Sequence, residues 1–124
     1  MTPDETYRRL TEAYNAGNLE AMVACYDPKA VFVIKPGRVT EGPDELRAAL
    51  QHGLGFRARL TIVPESFTRS DDVMLVVGTF TLVGTHADGR ALERSARFAD
   101  VLRLQRDGRW LIAVDNPYGG QHGS

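Results

Sequence analysis

The 124 residues hold one cysteine, one tryptophan and two lysines, and each scarcity removes a class of answer. A lone Cys25 can close no internal disulfide and build no multi-cysteine zinc site. None is needed, because a chain of this length buries roughly two-thirds of the surface that its unfolded form exposes. Long apolar runs are also missing. Runs such as VMLVV and VFVI fall far short of the ~20 residues that a membrane helix requires. The opening MTPDETYRRL lacks the apolar core of a signal peptide, so the expected location is cytoplasmic, with no membrane partner. Excess charge is absent as well: 15 basic residues stand against 16 acidic ones, a formal net charge of -1. Such a chain lacks the positive field that drives nucleic-acid binding. His52, His86 and His122 show no metal-ligand spacing, and the glycines of GTFTLVG and GLGF lack the strand-to-helix context of a phosphate loop. Neither a metal nor a cofactor is expected. Cys25 reads as a buried, inert thiol.

What is present is one domain, expected over 1–118, followed by a flexible tail over 119–124. Thr2 and Glu5 have capping-box spacing around Pro3, predicting a helix that ends at Gly17 with Tyr7, Leu10 and Tyr14 inward. Asn18 caps a second helix with Leu19, Met22, Val23 and Tyr26 on one face, stopped by Asp27-Pro28. AVFVI is a short strand, RVT its return, and Gly42-Pro43 begins a third helix that ends at Gly53. From residue 57 onward the pattern changes to four long strands, with Asp-Gly turns at 88–89 and 107–108. This order predicts an α+β domain, a cone-shaped curved antiparallel sheet wrapped around three helices.

Treating Asp107-Gly108 as a two-residue turn sets Leu104 against Leu111, Leu102 against Ala113 and Asp100 against Asp115. The same count at Asp88-Gly89 sets Thr79 against Phe98 and Thr81 against Ala96. A three-residue bulged turn would instead move Asp100 opposite Val114. In the paired register two acids share an apolar face, and burial with like-charge repulsion raises the pKa of at least one. A carboxylic acid kept neutral can donate a proton or a hydrogen bond. The bland reading has both acids holding backbone donors or pairing with Arg94 or Arg97. The opposite face, with Phe80, Leu82, Val101, Trp110, Ile112 and Val114, is also apolar, which predicts a homodimer through the convex sheet face.

The phrases YNAGNLEAMVACY, DPKAVFVIKPG, EGPDELRAAL and ADVLRLQRDGRWLIAVDNPYG resemble the nuclear transport factor 2-like superfamily. They are most similar to its SnoaL-like and ketosteroid isomerase-like branch of uncharacterised proteins. The resemblance implies a cystatin-like roll with a pocket between the helices and the concave sheet face, and dimers through the convex face. Asp100 falls where those isomerases keep their protonated aspartate. Their base position falls near Ile34 and their first-helix tyrosine near Leu10, so steroid isomerisation by the known mechanism is not implied.

Two readings result. One is a cofactor-free isomerase or cyclase-like lyase acting on a small apolar carbonyl compound, with Asp100 and Asp115 catalytic and Tyr14, Thr79, Thr81 and Phe98 lining the ligand site. The other is a non-catalytic ligand-binding or dimerisation module of the same fold.

Overall fold

The computed structural model describes residues 1–120; the tail expected over 119–124 lies, from 121 on and with His122, outside the described residues. The first helix, α1 (Pro3–Asn15), starts as its capping signal dictates: the Thr2 hydroxyl accepts from the Glu5 N–H at 3.2 Å, and Pro3 occupies the first turn. Its stripe of Tyr7, Leu10, Ala13 and Tyr14 is buried. Gly17, at φ 67°, turns the chain away.

Asn18 caps α2 (Leu19–Val23) through its side-chain oxygen and the Ala21 N–H. This helix is shorter than its apolar spacing suggests. Tyr26 is the first residue of β1 (Tyr26–Lys35), because the Cys25 carbonyl accepts from the Ile112 N–H at 2.9 Å and strand pairing takes over there. Pro28, which has no N–H to donate, sits where that pairing is irregular. β2 (Arg38–Val39) returns along β1, and α3 (Gly42–Leu54) buries Leu46 and Leu50. Among the described residues no helix is long and apolar enough to cross a membrane.

The remaining strands are β3 (Arg59–Ser70), β4 (Val73–Thr85), β5 (Ala91–Leu104) and β6 (Trp110–Asp115). They form a meander in a six-stranded sheet of order β2-β1-β6-β5-β4-β3, antiparallel except for β1 beside β6. The fold is therefore α+β, with three helices against the inner face of a curved sheet that does not close.

Both Asp-Gly turns depart from the two-residue geometry. The N–H of Arg90 bonds the Asp88 carboxylate at 3.0 Å and that of Arg109 bonds Asp107 at 3.1 Å, while Gly89 (φ 87°) and Gly108 (φ 89°) are left-handed. The aspartates close turns on the backbone two residues ahead, so each loop takes three residues. Between β4 and β5 every pairing consequently moves by one: Phe98 faces Gly78, Ala96 faces Phe80 and Asp100 faces Val76. This corrects the placement of Thr79 and Thr81, which lie on the outer face, where the Thr81 and Ser95 hydroxyls meet at 3.1 Å. Phe80 and Leu82 take the inner positions.

In β6 the same shift places Trp110 opposite Leu104 and Ile112 opposite Leu102, both inside. Trp110, Ile112, Phe80 and Leu82 therefore do not belong to the convex face; Val101 and Val114 do. A second irregularity follows. Ala113 is an extra residue, Val114 pairs with Val101, and the Ala99 N–H reaches the Asn116 carbonyl at 3.0 Å. The bulge restores what the turn displaced, and Asp100 lies across from Asp115.

Candidate functional site

The helices leave the inner sheet face partly uncovered, and a cavity of about 740 Å³ opens between α1, α3 and the strands. A volume of this order suits a small-molecule site. Its walls are mainly apolar, with Leu10, Leu50, Ile34, Leu60, Phe80 and Phe98 among them. Leu10 and Ile34, near which the resemblance puts a tyrosine and a base, are apolar wall. The mouth is different in kind. Arg38, Glu45, His52, Phe56 and Arg94 line it and are exposed.

At the floor lie Asp100 and Asp115, each held by a tyrosine. The Tyr7 hydroxyl donates to Asp100 Oδ2 at 2.8 Å, and the Asn116 N–H donates to Asp100 Oδ1 at 2.8 Å. The Tyr26 hydroxyl donates to Asp115 Oδ2 at 2.5 Å. Each element arrives for a separate reason. Tyr7 belongs to the buried stripe of α1, Tyr26 is fixed by the β1–β6 pairing, and the bulge at Ala113 turns Asp115 inward. Asn116 is itself tied down, its side chain accepting from the Tyr118 N–H and donating to the Gly119 carbonyl. No arginine touches either carboxylate among the described residues.

Burial raises Asp100 well above the usual carboxylate range, and the Asp115 charge raises it further; the Asn116 N–H and the Tyr7 hydroxyl offset part of this. Asp115 is pushed up to about 6, also by burial, against the hydrogen bond from Tyr26. Desolvation and the two carboxylates push both phenols upward, so Tyr7 and Tyr26 remain protonated donors. Both carboxyls thus titrate above the usual carboxylate range, and repulsion between them favours a pair that shares one proton over a doubly ionised one. An acid and a base then sit side by side in an apolar chamber.

Of the ligand-site residues expected from sequence, Tyr14 and Phe98 line the cavity, whereas Thr79 and Thr81 face outward. The Tyr14 hydroxyl is engaged, donating to the Gly53 carbonyl at 2.9 Å. Tyr7 and Tyr26 are the residues that the sequence reading assigned only to helix stripes. Their available signal was chemical: a buried phenol needs an acceptor, and two buried acids need donors.

A family model described as the SnoaL-like domain matches residues 7–112. No curated protein matches the chain. Among solved structures, a protein of unknown function from Mycobacterium tuberculosis superposes with a TM-score of 0.76 at 24% identity, over 90% of this chain and 70% of that one. A conserved protein from Planctomyces limnophilus gives 0.78 at 18%, covering 90% and 88%. A ketosteroid isomerase-like protein from Erwinia carotovora atroseptica gives 0.76 at 20%, covering 90% and 88%. These likenesses concern the fold.

Proposed function

Since the chain belongs to the SnoaL-like domain family, we propose that its cavity binds a small, mostly apolar carbonyl compound and moves a proton within it, as an isomerase or cyclase does. The observation that carries this reading is the facing pair Asp100 and Asp115, each bonded to a tyrosine, at the floor of an open apolar chamber. Asp115, ionised above about pH 6, is the base that takes a proton from carbon beside the carbonyl. Protonated Asp100, linked to Tyr7, supplies the proton or hydrogen bond that the developing enolate oxygen requires. A ligand that fills the chamber displaces water from around the two acids, which strengthens both effects. Deuterium uptake by 2-tetralone and related cyclic ketones in D2O tests the reading. The protein should accelerate exchange, more strongly as pH passes 6, and Asp115→Asn should lose roughly 10²- to 10⁴-fold, the usual range for a general base. Ketones that bind without accelerated exchange would leave a binding module, a reading favoured by the engagement of both tyrosine hydroxyls with carboxylates.

We also propose that the outer sheet face meets a second copy. Leu75, Val101, Val114 and Val31 form one row across β4, β5, β6 and β1. The exposed Val63 and Val83 extend the apolar surface. The helices pack on the other side of the sheet, so a second copy of this chain is the cover that the proposal assigns to this face.

A further inference from the structure

The arginines of β5 divide unequally between the two faces of the sheet. Arg97 and Arg103, at odd positions, point outward and pair with Glu65 and Asp27. Arg94 shares the inner face with Ala96, Phe98 and Asp100, and no carboxylate lies within ion-pair distance of it among the described residues. Its guanidinium is held by aromatic rings instead, 5.4 Å from the centre of Phe80 and 5.1 Å from that of Tyr118. Tyr118 is in turn anchored, donating from its hydroxyl to the Ile34 carbonyl at 2.8 Å. The two rings hold the guanidinium by cation–π attraction, none of its N–H groups donates to a protein acceptor among the described residues, and a planar fork of donors matches a carboxylate. The floor has the opposite character. Asp100 and Asp115 repel an anion, so a ligand carrying one would enter with that end at the mouth.

Accepting the carbonyl-binding reading above, we propose that the ligand is an amphipathic carboxylate, with its apolar body in the cavity, its carbonyl at Asp100 and Asp115 and its carboxylate on Arg94. Arg94 is then a specificity-determining residue that sets which end of the ligand reaches the acids. The span is suitable. The guanidinium lies over Phe80, whose strand partner Ala96 is four residues from Asp100, roughly 13 Å along an extended strand. A bicyclic aromatic body with groups at opposite ends fits that length once the side chains have reached in from both ends.

The test compares 6-propionyl-2-naphthoic acid with its methyl ester, by calorimetric titration of the full chain at low salt. The wild type should bind the acid about tenfold more tightly than the ester, the scale of one charge-assisted fork. Arg94→Gln should bring the two to parity, while Arg94→Lys should keep only part of the preference. Asp115→Asn should keep the preference for the acid over the ester, because that preference is set at the mouth. Equal binding of acid and ester by the wild type overturns the carboxylate assignment and leaves the carbonyl pocket standing. Binding of neither overturns both.

Discussion

Raising the pH from 4 to 7.5 should destabilise this protein, through Asp115 in particular. A carboxyl whose pKa is raised on folding holds its proton in the folded chain after the unfolded chain has released it. Its contribution to stability is therefore full below the unfolded value of 3.8 and is lost as pH rises through about 6. A rise from 3.8 to about 6 corresponds to about 3 kcal/mol of unfolding free energy lost across that window. Asp100, raised in the same direction, continues the loss at higher pH. Against a total stability on the order of 5–15 kcal/mol, a change of this size is easily measured. Urea unfolding at half-unit pH steps supplies the curve, and carboxyl-carbon NMR identifies the group responsible. Asp115→Asn should flatten the fall between pH 4 and 7, because the amide carries no charge to bury and its oxygen still accepts from Tyr26. The same substitution removes the charge that raises Asp100, so the Asp100 titration should move downward while staying above the usual range. A wild-type stability that is level or rising from pH 5 to 7.5, with Asp115 titrating below about 4.5, would refute the reasoning.

Tyr7→Phe deletes a hydrogen bond that lowers the pKa of Asp100, so the Asp100 titration should move upward by NMR, with a stability cost of about 1–3 kcal/mol in urea. If its titration is unchanged, the hydroxyl contact does not act on the carboxyl. Gly78→Ala should be severe, because an added Cβ would lie 2.3 Å from the Val63 carbonyl oxygen, backbone that β3 cannot move without breaking its ladder. A loss exceeding about 2 kcal/mol is expected by thermal melting, and near-neutral behaviour would contradict the packing described here. Leu75→Arg on the outer face should convert dimers to monomers in sedimentation without lowering the melting temperature of the isolated chain, since Leu75 is 45% exposed. A wild-type chain that sediments as a monomer refutes the dimer.

Helix starts were legible because they depend on neighbours in sequence: Thr2 with Glu5, Asn18 with Ala21, Pro43 at the head of α3. Strand existence was legible for the same reason. Register was not. An Asp-Gly pair suits a tight two-residue turn, but here each aspartate bonds the backbone N–H two residues ahead, and that competition is settled by geometry rather than by residue type. One additional loop residue then exchanged Thr79 and Thr81 for Phe80 and Leu82 inside the cone. The bulge at Ala113 carries no local signature at all, since alanine suits either strand geometry. The tyrosines were hidden by their own amphipathy. A ring in an apolar stripe reads as core, and only the folded chain shows where its hydroxyl ends.

The extra residue in β6 bears on how the chemistry tolerates error. Counted from the turn, a regular ladder with a two-residue loop and the observed ladder with a three-residue loop and a bulge differ for Arg109 through Ile112, yet they coincide from Val101 and Val114 onward. A slip of the intervening segment would thus leave Asp100 facing Asp115. What it would change is the filling, turning Leu111 and Ala113 toward the helices where Trp110 and Ile112 now sit. The two acids are insulated from a common accident of hairpin assembly, and side-chain volume near the turn, rather than the acids themselves, arbitrates between the competing alignments.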